Sequence, residues 1–458
     1  MNATRDTDFS SDAASNDRAS RAPGLRRGDS GAAAPGGDGL AGARIVALAH
    51  AADWGGAERS LYETILGLRA RGAEFHVVAP REGPLTQHLR EADIDTSIIY
   101  QPWWVRARSA AASMSRLQSD ALSRGPRRVA TPGRLRHAVS AVARLGGAFA
   151  AAGRIAALAR RWDAHLIYTN TLCVPAGAGA AHWLALPHVW HVREFGGADH
   201  GLAFVLGERW SRDWMLRRSA RVVCNSRAVA ESFAAHRLGE RVEVVYQGIA
   251  EPTPEVTQPT VDWPLRAAGL RLLLMGRLAP GKGQELAIEA MKELRRRDFP
   301  ATLAVVGAGQ PAFERRLRQQ IDAAGLRGCV ALVGASQAGA AWYQASDVVL
   351  VPSRREAFGR VSVEAMLAGK PVIGARSGGT AEIVRDGETG LLFAPGDVQG
   401  LAASIIALGE TTRRQAMGVA GRRRARRCFS RPAYLQAMAH QIVSALTHQC
   451  GPAAPAAL

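Results

Sequence analysis

The 458-residue chain is poor in cysteine, and the five it has are in no arrangement that does chemistry. Cys173, Cys224, Cys329, Cys428 and Cys450 are scattered and odd in number, with no C-x-x-C pair. That excludes a disulfide framework and a structural zinc site, and it predicts a reducing cytoplasm. No D-x-D metal-binding signature stands in a plausible site, so no metal is expected. Acids are scarce: 40 Asp and Glu against 58 Lys and Arg leave a formal net charge of +18. Residues 1–42, rich in Asp, Arg, Ser, Gly and Ala, have no apolar periodicity and no apolar stretch after a basic start. They read as a disordered tail, not as a secretory signal. Long apolar runs are lacking too. Ala138 to Leu158 resembles a membrane span in outline, but Arg144 and Arg154 on a Gly/Ala background make it a soluble helix.

What is present is an alternation of short apolar strands with helical segments. Arg44–Ala49, Phe75–Ala79, His165–Thr169, Val189–Val192 and Arg221–Cys224 read as buried strands, as do Leu272–Met275 and Val348–Val351. Strands interleaved with helices predict α/β architecture with parallel sheets covered on both faces. The length suggests two to three domains. The Pro-rich segment 251–260 divides a first domain at 43–250, with a basic insertion at about 101–137, from a second at 261–430. A last helix at 431–449 and a tail at 450–458 complete the chain.

The most informative stretch is Val351 to Pro371, VPSRREAFGRVSVEAMLAGKP. A strand runs into a loop holding Glu356, turns at Gly359 into a helix holding Glu364, and the helix stops at Gly369. Ligands of open α/β sheets bind at the carboxyl ends of the strands, which is where this loop falls. Upstream, Gly276-Arg277-Leu278-Ala279-Pro280-Gly281-Lys282-Gly283 joins a strand to a helix with apolar positions at Leu286, Ala290, Met291 and Leu294. Glycines permit close approach of a phosphate, the helix start adds partial positive charge, and Arg277 and Lys282 supply two cations. Downstream stand Ser377-Gly378-Gly379-Thr380-Ala381-Glu382, with Thr380 a plausible helix cap, and Gly387 to Pro395. In the first half, Gly55-Gly56-Ala57-Glu58 follows the first strand.

Together these blocks resemble the retaining glycosyltransferases of the GT-B fold, in particular glycosyltransferase family four, densely over residues 270–400. The resemblance implies two Rossmann-like domains facing across a cleft, with the last helix crossing back to the first domain. It implies that Arg277 and Lys282 grip the diphosphate of a nucleotide-sugar donor, that Glu356 faces the sugar and that Glu364 takes the ribose hydroxyls. The amides of Phe358 and Gly359 at the helix start would assist, and so would those of the Gly378-Gly379 loop. Gly55 and Gly56 would turn the backbone toward the cleft, and His191 would complete the sugar pocket from the first domain. Relatives often have Asp directly after that histidine, where this chain has Val192, leaving Glu194 as a substitute carboxylate. The implied reaction is transfer to a glycan or lipid-linked acceptor in cell-envelope or polysaccharide biosynthesis, with no cofactor.

Other readings attach to single features. Gly307-Ala308-Gly309-Gln310-Pro311-Ala312 after a strand matches a dinucleotide fingerprint, which would imply an oxidoreductase. The next strand, however, ends at Gly334 with no acid to hold a ribose. An epimerase of nucleotide sugars would share the fold without needing an acceptor. The arginines between Arg106 and Arg136 and the Arg422–Arg427 run are the main basic clusters. With Trp103 and Trp104 beside the first, they suggest peripheral attachment to an anionic membrane surface. No nucleic-acid-binding signature accompanies the charge.

Overall fold

The computed structural model describes residues 39–107, 132–197, 201–233, 241–251, 261–266 and 268–447. Most of the expected tails and linker, and residues 108–131 of the insertion, lie outside the described residues.

The first half builds strands β1 (Arg44–Leu48), β2 (Glu74–Ala79), β3 (Asp95–Ile98), β4 (Val105–Ala107), β5 (Leu166–Thr169), β6 (His188–Val192), β7 (Leu202–Phe204), β8 (Arg221–Cys224) and β9 (Val242–Val244). Seven of them form one parallel sheet in the order β3-β2-β1-β5-β6-β8-β9, while β4 and β7 pair antiparallel beside it. The second half builds β10 (Leu270–Met275), β11 (Ala301–Val306), β12 (Val330–Gly334), β13 (Val348–Val351), β14 (Val372–Ala375) and β15 (Gly390–Phe393). These form a six-stranded parallel sheet, β12-β11-β10-β13-β14-β15.

The strand sequences explain the layering. In β10, Leu272 and Leu274 enter one core with the helices Gln284–Arg296 and Val398–Ala407, while Leu273 enters the core on the opposite face. Successive side chains of a strand alternate between faces, so a continuous apolar run is what a doubly covered sheet requires. Each fully buried leucine contributes about 1.5–3 kcal/mol.

The chain crosses between the sheets twice. The helix Arg431–Thr447 buries Tyr434, Leu435, Met438, Ala439 and Ile442 in the first domain's core, beside Ile45, Leu61, Ile65 and Leu68. A Cβ on Gly67 would come within 2.2 Å of Leu435, so this packing depends on a glycine in the partner helix. Leu40 is fully buried in the same core. Leu40 thus packs with the residues assigned to the first domain. The tryptophans expected at a membrane interface are used inside: Trp104 is buried, stacks on Trp190 and donates from Nε1 to Leu172 O at 2.8 Å. Trp103 packs partly buried beside His50.

Candidate functional site

The second-domain half of the site is two loops sewn together. Gly276 leaves β10 at φ +141°, and Gly283 precedes the next helix at φ +84°. A Cβ on Gly283 would lie 2.3 Å from Pro352 O, and Arg354 N donates to Gly281 O at 2.8 Å. The Arg277 loop is thus held against the Glu356 loop. Lys282 Nζ meets both oxygens of Glu356, at 3.1 and 2.8 Å, across 74 residues of sequence. Both side chains are partly exposed, so the pair contributes at most about 1 kcal/mol and can be exchanged for a ligand's charge. Arg277 is exposed, and its guanidinium has no partner among the described residues.

Glu356 is also held from behind. Gly379 N donates to Glu356 O at 2.8 Å, and Cβ atoms on Gly378 and Gly379 would strike Glu356 O and Phe358 O at 2.1 and 2.2 Å. The Gly378-Gly379 loop was expected to offer amides to a donor, but the Gly379 amide is already spent on this support. Thr380 is buried and does not cap its helix. The amides of Phe358 and Gly359 have no partner among the described residues. They stand just before the helix Arg360–Leu367, at a left-handed turn with Gly359 φ +101°. Glu364, on that helix, accepts from Tyr343 OH at 2.8 Å and pairs with Arg360 Nε at 3.5 Å. Burial, and then the Glu364 charge, hold the Tyr343 hydroxyl well above its ordinary pKa, so it acts as a fixed donor. Nothing in the sequence marked Tyr343, which comes from a different helix.

The first domain meets this surface at the helix Gly56–Arg69. Arg360 donates to both carboxylate oxygens of Glu63 at 3.0 Å and to Ser60 Oγ at 2.8 Å. Gly56 faces the Arg360 stem, where an added Cβ would sit 3.7 Å from Cδ, and Gly55 is the helix cap. The turn Gly55-Gly56 is therefore at the boundary between the domains, opposite the helix that carries Glu364.

His191 lies within β6, as read from the sequence. Strand β6 continues through Val192, so residue 191 is still inside the sheet and fully buried. Its Nδ1 meets Tyr168 OH at 2.5 Å and Arg193 Nη2 at 3.4 Å, and Nε2 has no partner. A guanidinium can only donate, so Nδ1 is the acceptor and the proton sits on Nε2. Burial, reinforced by Arg193, pushes the ring's pKa well below its ordinary value and keeps it neutral.

The group at the strand's end is Arg193, buried and bonded to Asn170 Oδ1 and Gln247 Oε1 at 2.6 Å each. Asn170 in turn donates to Ala57 O at 3.1 Å, in the glycine turn. The Glu194 carboxylate is already engaged by its own surroundings. It accepts from Thr171 Oγ1, from Leu172 N at 2.9 Å and from Arg193 N at 3.0 Å, which pins the loop after β5. Glu382 reaches across the boundary to accept from Arg227 N at 2.9 Å, Ala228 N at 2.8 Å and Tyr246 OH at 2.7 Å.

The glycines of the dinucleotide-like run have a packing role. A Cβ on Gly307 would lie 1.9 Å from Gly276 O and one on Gly309 2.2 Å from Leu278 O, while Leu278 N donates to Ala308 O at 2.9 Å. That run braces the Arg277 loop. Among the described residues no cluster of three or more His, Cys, Asp or Glu could hold a metal ion.

Residues 264–424 match the family described as Glycosyl transferases group 1, and residues 54–251 match Glycosyltransferase Family 4. The chain is 30% identical over 282 residues to a D-inositol 3-phosphate glycosyltransferase of Jonesia denitrificans, covering 54% of this chain and 65% of that protein. It is 36% identical over 160 residues to a GDP-mannose-dependent alpha-(1-6)-phosphatidylinositol monomannoside mannosyltransferase of Mycolicibacterium smegmatis, covering 33% of this chain and 42% of that one. The chain therefore spans under two thirds of the length of these relatives. Among solved structures, HepE of Anabaena in complex with UDP and glucose superposes with a TM-score of 0.66 at 24% identity, covering 87% of this chain and 98% of that one. Sucrose-phosphate synthase of Thermosynechococcus elongatus gives 0.61 at 19% identity, covering 87% and 98%. The paired parallel sheets, the loops that meet at Lys282 and Glu356, and two family matches that together span most of the chain lead to one conclusion: the chain belongs to the family 4 glycosyltransferases, with the GT-B fold.

Proposed function

We propose that the protein is a retaining glycosyltransferase that takes a sugar from a nucleotide-diphosphate donor and passes it to a glycan or lipid-linked acceptor at the cytoplasmic membrane face, in cell-envelope or polysaccharide biosynthesis. The observation that carries this is the junction of Lys282 with Glu356 beside the exposed Arg277. Departure of a nucleoside diphosphate from a sugar builds negative charge on the phosphates while the anomeric carbon becomes cation-like. Fixed cations and amides aimed at that charge lower the barrier most. Arg277, Lys282 and the amides of Phe358 and Gly359 are such groups, and no divalent metal is needed beside them. Glu356 orients the sugar and Glu364, braced by Tyr343, takes the ribose. His191 serves the sugar pocket from beneath, as the neutral ring under Arg193. The UDP and glucose held by HepE and the inositol-type acceptors named for the relatives support a donor and acceptor of these classes.

The test is titration calorimetry with UDP-, GDP- and ADP-sugars on the wild type and on Arg277→Ala and Lys282→Ala. One donor should bind, and each variant should lose about 1.5–3 kcal/mol, the worth of a charge-assisted contact. Product NMR with that donor should show the anomeric configuration kept, in EDTA as well as without it. Unchanged affinity in both variants, or inversion, defeats the proposal.

A further inference from the structure

The helix Pro132–Arg161 carries six arginines and no acid. Its inner face, Ala148, Ala151, Ala152, Ile155 and Ala159, is buried against the first sheet and the helix Ala176–Leu184. Its outer face is not covered by any described residue. Val142 is 71% exposed and Phe149 69%, with Ala143, Gly146, Ala150, Gly153 and Ala157 exposed between and beyond them. Phe149 packs edge-on against Trp183 of the neighbouring helix, itself 42% exposed, with ring centroids 4.6 Å apart. Residues 142, 146, 149 and 153 follow helical spacing, so the apolar atoms form one stripe along the outside. Ser140–Arg161 is long and apolar enough, by length and composition alone, to cross a membrane. Its inner face is already committed to the domain, so it is placed to lie on an apolar surface, not to span one.

We propose that this face, Val142, Phe149 and Trp183 with Arg154 on the same helix, is the surface by which the protein lies on an anionic lipid bilayer. Charge selects that occupant. Aromatic and aliphatic side chains followed by the exposed Arg154 and Arg160, with no acid on the helix, match the boundary between acyl chains and anionic headgroups. The inference deepens the functional reading by giving the lipid-facing side of the enzyme. It places that side on Val142, Phe149 and Trp183, not on Trp104, which is buried.

The experiment is flotation of the full chain with vesicles of phosphatidylcholine alone or with 30% phosphatidylglycerol, a composition chosen for the test, at low and at physiological salt. The wild type should float with the anionic vesicles. The variant Val142→Gln/Phe149→Gln/Trp183→Gln, altered only at exposed positions, should lose roughly tenfold or more in partitioning, most clearly at high salt where apolar insertion dominates. Arg154→Gln should weaken binding at low salt only. Nucleotide-sugar affinity of all variants should stay at the wild-type value. A chain that binds donor but floats with no vesicle overturns the membrane proposal and leaves the enzyme reading standing. So does a triple variant that floats like the wild type, or one whose only change is from dimer to monomer, which would assign the face to a second copy. A chain that floats but binds no nucleotide sugar defeats the enzyme reading alone.

Discussion

His188 and His191 stand on one strand and are both enclosed, which makes the charged imidazolium costly at each. His188 has neutral partners on both nitrogens, Thr169 Oγ1 and Ser219 Oγ at 2.9 Å, and burial pushes its pKa down to about 3. His191 is displaced in the same direction by burial and by Arg193. For both, the unfolded chain binds protons near the ordinary value of 6.5 that the folded chain refuses. Their contribution is therefore complete above pH 6.5 and is lost as pH falls toward the folded values. Each costs about 1.4 kcal/mol per pH unit in that window. Denaturant unfolding between pH 7.5 and 5 should show stability falling with acid, and His188→Gln, which keeps polar atoms but cannot take the proton, should flatten the slope. An equal slope in the variant would mean that other groups set the acid limit.

At the scale of elements, the loops after β10, β11 and β13 are interdependent, and Gly307 is where that is sharpest. It sits at φ +150° with Gly276 O where a Cβ would be, at 1.9 Å. Gly307→Ala must move the Arg277 loop or twist β11. It should cost about 2–4 kcal/mol, the range for strained backbone with overpacking. It should also weaken donor binding although residue 307 touches no expected ligand group. Thermal unfolding and calorimetry on the same sample would check both, and a stable variant with full affinity would show that the brace is dispensable.

The same element shows what could be read in advance. The glycine loops and the strand runs were legible from local spacing, whereas the roles given to Arg277, Lys282, Glu356 and Glu364 rested on the family resemblance. Tyr343 under Glu364, and Arg193 beside His191, were not. Each depends on where a strand stops or which helix packs beneath another, and periodicity does not record that. Trp104 failed for a related reason: an aromatic pair beside arginines looks alike whether it stacks on Trp190 or lies on a membrane.

For the whole molecule, the two chain crossings between domains meet at one point. Ile249 pairs with Ser430, and Gly248 is so close to the helix Arg431–Thr447 that a Cβ would lie 2.5 Å from Tyr434 Cβ. Two adjacent strands of chain resist separation of the domains but permit rotation about themselves. Resistance to rotation must come from contacts away from that axis, and two stand out. One is the two-pronged Arg360–Glu63 bridge and the other is Glu382 capping the helix Arg227–Glu231. The first is coupled to the site, since Arg360 also pairs with Glu364. Charge-assisted bonds of this kind are worth about 1.5–3 kcal/mol each, enough to bias a rotation without locking it. Glu63→Gln combined with Glu382→Gln removes both charges while leaving Glu364, Lys282 and Arg277 in place. The pair should broaden the distribution of interdomain distances in small-angle scattering or spin-label measurements and raise the mean radius of gyration. Melting of the two cores should change little, because neither residue belongs to either one. Wild-type distances in the double variant would show that the crossing segments alone fix the angle between the domains. In that case the Arg360 bridge would serve only to orient Glu364.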